Sequence, residues 1–265
     1  MSIHCYKEYE SDCSDVRPIV IATSLAASKD LNNQRMAINS WQKLGFSVVS
    51  INCSEEIALL QHHFSDISFV EAHRDARSEF NRPYIYFDDF LTYFTEHGTG
   101  VCGIVNSDIH LLNDTLYSFV KREAINSLVY GSRINVDTLD NLQGEDDPFG
   151  LDYFFFDRNL ISYYPKSEFC IGLPYWDYWI VLIPLIYRIP AKRVMNAGAY
   201  HIKHQETWRQ LHDLFEGKLM EKFSSLTGKA CPIQFIDFIC RHSREVSLDT
   251  QDTPPVSEVN QDIDV

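Results

Sequence analysis

Two rhythms of apolar and polar positions run through this chain. Residues 18–24 form an apolar run and predict a buried strand. Leu31, Ile38, Trp41 and Leu44 then recur at helical spacing, predicting a helix over 29–44 with Ser28 or Asp30 as its cap. Gly45 ends that helix, and FSVVSIN is the next strand. Two apolar strands around an amphipathic helix favour a parallel pair with a right-handed crossover. A short helix over 55–64 and a strand over 67–71 repeat the unit. An aromatic-rich helix, RPYIYFDDFLTYFTEH, leads into the strand VCGIV, and SLVYGSRINV is another strand. LDYFFFD, SEFCIGL and RVMNAGAYHIKH read as shorter extended pieces. WDYWIVLIPLIY reads as a buried helix, and QETWRQLHDLFEGKLMEKFSSL as a surface helix ended near Gly228. The predicted class is α/β: one domain over 17–242, with a central, mostly parallel sheet flanked by helices. Residues 1–16 are expected to be flexible. Residues 243–265 are expected to be a disordered acidic tail, since six acids occur among the last 21 residues and no Lys or Arg follows Arg244.

Charge and composition narrow the partners. The net charge of −14 disfavours nucleic acid and anionic membrane surfaces. The seven cysteines form no CxxC pair, and Cys53, Cys102 and Cys170 sit in apolar runs. The N-terminus shows no signal peptide. The longest apolar run, 178–187, is too short to span a bilayer, so no transmembrane segment and a cytoplasmic location are expected. That apolar segment also suits a homodimer interface as well as a core. No GxGxxG follows the first strand, and no GxxxxGK[ST] or GxSxG motif occurs, which argues against a Rossmann dinucleotide site, a P-loop and a nucleophile elbow.

The candidate chemistry collects at strand ends, where open α/β sheets place ligands. The strand VCGIV ends in Asn106, Ser107 and Asp108. Asp108 suits a hard divalent ion, Mn2+ or Mg2+, or else caps a turn. Asp177 lies between Trp176 and Tyr178 beside an apolar segment. Burial there would raise its pKa for proton abstraction, although it also fits a helix cap. Trp176 and Trp179, with Tyr153, are candidate stacking surfaces for an acceptor. His201 and His204 are candidate metal ligands; if the segment is extended, their spacing puts them on opposite faces. Thr23 and Ser24 end the first strand, where a base or ribose would sit. Arg35 and Arg82 are candidate partners of a diphosphate.

Taken together, the IVIATS strand, the strand ending in NSDI, the later WD with aromatic neighbours and the late HIKH resemble GT-A type nucleotide-sugar glycosyltransferases over about residues 18–225. The resemblance implies a metal-assisted, hexosyltransferase-like enzyme moving a sugar from a nucleotide-diphosphate donor to a glycan or other hydroxyl acceptor. It puts Asn106 and Asp108 at the positions of a DxD-like motif, with Asn replacing the first acid. It makes Asp177 the base of an inverting reaction, and His201 or His204 a late metal ligand. A sugar nucleotidyltransferase and a non-catalytic binding protein of the same fold are the competing readings. The first usually carries a glycine- and basic-rich loop after its first strand, and the segment ATSLAASKDLNNQR lacks glycine. Asn106 favours the second.

Overall fold

The computed structural model describes residues 17–27, 30–196, 198–204, 209–230 and 235–248. The expected flexible N-terminus, residues 1–16, lies outside them. The elements, in chain order, begin with β1 (Val20–Thr23), α1 (Leu31–Lys43), β2 (Ser47–Asn52), α2 (Ser54–Leu60) and β3 (Ser68–Glu71). Next come α3 (Arg77–Phe80), α4 (Phe87–His97), β4 (Val101–Val105), β5 (Ile109–Leu111) and α5 (Leu116–Glu123). The second half holds β6 (Leu128–Val136), β7 (Glu145–Asp157), α6 (Trp176–Ile186), β8 (Ala191–Val194) and β9 (Ala199–Ile202). It closes with α7 (His212–Thr227), α8 (Phe235–His242) and β10 (Arg244–Val246).

The main path of the sheet runs β10-β8-β6-β7-β4-β1-β2-β3. Every pair along it is parallel except the two made by β7. The carboxyl ends of β1, β4, β6 and β8 therefore share one edge. Successive strand residues face opposite sides, and the core divides accordingly. Ile104, Phe154 and Tyr130 join α4, α6, α7 and α8 on one face. Val105, Tyr153 and Phe155 join α1 and α5 on the other.

Local chemistry explains where the helices begin and end. Asp30 caps α1 by accepting from the N–H groups of Asn32 and Asn33, and Gly228 ends α7 in the left-handed conformation at φ 70°. Helix α6 tolerates Pro184 inside it. Proline has no N–H for the carbonyl of Ile180, and the Tyr164 hydroxyl donates to that carbonyl at 2.7 Å instead. The structure contradicts the expected start, at 243, of the acidic tail. Arg244–Val246 pairs in parallel with β8, and Leu248 is buried, so residues 243–248 belong to the folded sheet; 249–265 lie outside the described residues. SEFCIGL forms no strand of its own and contributes a single bridge, between Cys170 and Tyr86.

Candidate active site at the carboxyl edge of the sheet

The chain leaves β4 in a tight turn. Asn106 donates its backbone N–H to the Asp152 carbonyl, and Ile109 N–H returns to the Asn106 carbonyl at 3.2 Å. Helix α1 pins the strand that follows: Trp41 Nε1 donates to the Ile109 carbonyl, and Leu111 N–H donates to Ser40 Oγ. This double anchor fixes Ser107 and Asp108, both largely buried, at the sheet edge. Strand β5 runs antiparallel to β9, with Ile109 opposite His201.

That pairing brings the late histidines to Asp108. His204 Nε2 lies 3.2 Å from Asp108 Oδ2, and His201 Nε2 lies 3.9 Å from the same oxygen. The strand reading of AYHI holds, but β9 ends at Ile202. The opposite-face rule therefore does not reach His204, and both rings converge, with centroids 4.8 Å apart. One ligand atom from each of the three residues lies within 4.8 Å of the others, a cluster suited to a metal ion. His110 is not part of it. It points into the core, where Nε2 meets Asn33 Oδ1 at 2.9 Å and Nδ1 has no partner among the described residues. Burial pushes its pKa down to about 4.

A chain of polar contacts sets the orientation of His201. Arg133 Nε donates to Asn135 Oδ1, while Asn135 Nδ2 donates to Asp147 Oδ2. The amide oxygen is thus fixed toward His201 Nδ1, 2.9 Å away, so that nitrogen must carry the proton. The Nε2 lone pair is left facing Asp108, as a metal ligand requires. Two imidazoles and one carboxylate suit Mn2+ better than Mg2+, which prefers oxygen alone.

Arg133 also binds Asp152 Oδ2 at 2.9 Å and Asp147 Oδ2 at 3.0 Å. The Asn106 side chain donates to the other Asp152 oxygen. Asn106 is therefore turned toward β7 and is no part of the metal cluster. Asp177 stands in the first turn of α6, entered through Tyr175 at φ 70°. Desolvation and the nearby Asp152 charge hold the Asp177 carboxyl well above its ordinary range, against the pull of helix-start N–H groups and Arg133. Arg133 is within electrostatic range of Asp108 as well, so it links the metal cluster to Asp177.

Other expected site residues fall elsewhere. Trp176, Trp179 and Tyr153 are no acceptor platform. Trp176 and Trp179 are 2% and 0% exposed and pack on Phe154 and Phe169. Tyr153 is 1% exposed, with its ring crossing Gly131. Large rings without accessible faces are core, and the apolar run around them is what buries them. Arg35 is no diphosphate partner: Asp66 binds it at 2.5 Å and Phe64 lies under its guanidinium. Arg82 is exposed in the turn after α3. At the carboxyl end of β1, Thr23 is fully buried with Oγ1 unpartnered, and Ser24 Oγ lies 3.4 Å from Asn52 Nδ2. Arg133, Asn135, Asp147 and Asp152 were not singled out from the sequence. Asp152 did leave a signal, as a lone carboxylate inside the apolar run LDYFFFD.

The fold is that of the nucleotide-diphospho-sugar transferases of GT-A type. The chain is similar to S. aureus TarS, residues 1–349, solved in complex with UDP-GlcNAc. There the TM-score is 0.54 at 13% identity, covering 83% of this chain and 69% of that one. Against the same TarS fragment with UDP, the TM-score is 0.51 at 11% identity, covering 84% and 69%. No family model and no curated protein matches the sequence.

Proposed function

We propose that the protein is a glycosyltransferase that moves a sugar from a nucleotide-diphosphate donor to an acceptor hydroxyl with inversion. The observation that carries this reading is the convergence of Asp108, His201 and His204 at the sheet edge, joined through Arg133 and Asp152 to a carboxyl of raised pKa on α6. The TarS complexes with UDP-GlcNAc and UDP support it at the level of ligand class.

Asp108 and the two imidazoles would hold the divalent cation, which when bound supplies charge neutralisation for a departing diphosphate. Asn135 keeps the His201 lone pair aimed at that position. Asp152 and Arg133 pair with each other and act electrostatically on both Asp108 and Asp177. Asp177 accepts the acceptor proton as the oxygen bonds to the anomeric carbon and the bond to the diphosphate breaks on the opposite face. A raised pKa makes it the stronger base for a hydroxyl. Ser24 and Ser107, which follow the carboxyl ends of β1 and β4, would face the donor.

Asp177→Asn tests the assignment. Transfer should fall by about 10²- to 10⁴-fold, while stabilisation by a nucleoside diphosphate with Mn2+ is unchanged. Equal loss of both would reduce Asp177 to a structural residue. A protein stabilised by no nucleoside diphosphate would refute the reading, since ligand at a hundredfold over its Kd contributes about 2.7 kcal/mol.

A further inference from the structure

Buried charges are normally paired, because an unpaired one forfeits its hydration without return. Arg193 departs from this. It is 8% exposed, and among the described residues no carboxylate lies within salt-bridge reach of it. Its partners are Cys240 Sγ at 2.9 Å from Nη1 and the Pro148 carbonyl at 3.5 Å from Nη2. Among the described residues the buried Nε has no partner. A guanidinium has five N–H donors in a planar fork suited to oxyanions, and most of this fork is uncommitted.

The position of Arg193 gives it a role. It is the penultimate residue of β8, at the same sheet edge as the metal cluster. In register it aligns with Tyr130, then Phe154, then Ile104, all on the α6 face. Asn106 and Asp152 lie one pleat further toward the edge on that same face. Two strand spacings separate β8 from β7, about 10 Å, and α6, which carries Asp177, packs across β6, β7 and β8. Pro148, which touches Arg193, adjoins Asp147 of the Arg133 network. Near the reacting centre, Asp108, Asp147, Asp152 and Asp177 are all acids, and Arg133 is already taken by two of them.

We propose that Arg193 is an oxyanion-binding residue of the acceptor subsite, so that the acceptor carries a phosphate or carboxylate group beside the hydroxyl that reacts. The acceptor assignment rests on the glycosyltransferase reading; binding of the oxyanion itself does not.

Thermal shift of the full chain tests both parts, with methyl phosphate and acetate as separate probes at constant ionic strength. Each probe is titrated with and without saturating UDP and Mn2+. Wild type should respond to one of the probes in both conditions, and which one it is separates phosphate from carboxylate. Arg193→Met, which replaces the charge with an apolar chain of similar length, should raise the melting temperature without ligand. It should also weaken the probe response at least about tenfold and leave the UDP response unchanged. Arg193→Lys should retain a weaker response, and it serves if the methionine variant fails to fold. A wild type indifferent to both probes, a response undiminished in the variants, or a lower melting temperature in folded Arg193→Met would each overturn the proposal. Loss of the UDP response in Arg193→Met would move Arg193 to the donor side and overturn the acceptor assignment. A probe response that needs Arg193 in a protein blind to UDP would sink the glycosyltransferase reading and leave the oxyanion site standing.

Discussion

Arg133 and Arg193 lie on neighbouring strands of one sheet, near the same edge, and both are largely removed from water. Arg133 faces two carboxylates and an amide. Arg193 faces a thiol and one carbonyl. The first arrangement is closed, because every charge in it meets an opposite charge inside the protein and the network's task is to orient others. The second is open, because no carboxylate among the described residues answers its charge. A buried ion pair and a buried lone ion therefore give opposite expectations on mutation, since removing one partner strands a charge in the first and relieves one in the second.

The largest effect should come from breaking the closed network. Arg133→Met leaves Asp152 and Asp147 uncompensated and should cost about 3–5 kcal/mol, read as a shift in denaturant midpoint. A loss near zero would mean that the two carboxylates are protonated without Arg133, and the contrast between the arginines would collapse. Next comes Gly131, on β6, in line with Val194 of β8. A Cβ there would lie 1.9 Å from the Tyr153 hydroxyl, so Gly131→Ala should cost about 1–3 kcal/mol by overpacking. Pairing it with Tyr153→Phe, which removes the clashing oxygen, should recover part of the loss; no recovery would locate the strain elsewhere.

The smallest effect concerns Asp177 and depends on pH. Its carboxyl titrates higher folded than unfolded. The folded state is therefore favoured most at low pH and loses that advantage as pH rises from the ordinary aspartate range through the raised value. Asp177→Asn removes the loss, so it should raise the melting temperature more at pH 8 than at pH 4. A gain that is flat with pH would show that the Asp177 carboxyl does not titrate above its ordinary range. Greater stability with less activity is the mark of a group kept for chemistry.

How much of this was legible in the chain differs between its halves. The units from β1 to β4 are contiguous apolar runs and helical stripes, and they are read directly. Helix α6 is also visible, because its apolar length exceeds any strand. Strand β5 has three residues and gains its meaning from β9, which follows 90 positions later. The first arm of β7, Glu145–Phe149, is polar and is held to β6 partly by side chains, so no apolar alternation marks it. The same reasoning explains the site. Asp108 and Asp177 were visible as carboxylates at element ends. His201 and His204 were visible as a pair, but their joint convergence depends on where β9 stops. Asn106 looked like a weakened ligand because its partner, Asp152, is 46 residues away. The burial of Trp176, Trp179 and Tyr153 is not legible in the sequence, because an aromatic beside a carboxylate gives no sign of which way its ring faces.

The central claim is that Asp108, His201 and His204 form one cation site serving a nucleoside diphosphate. Calorimetric titration of UDP into wild type and Asp108→Ala, each with Mn2+ and with chelator, measures it most directly. The account predicts Mn2+-dependent binding in wild type, lost in Asp108→Ala and equal to the chelator value. Identical affinities in all four titrations, or Mn2+-dependent binding that survives Asp108→Ala unchanged, would contradict it.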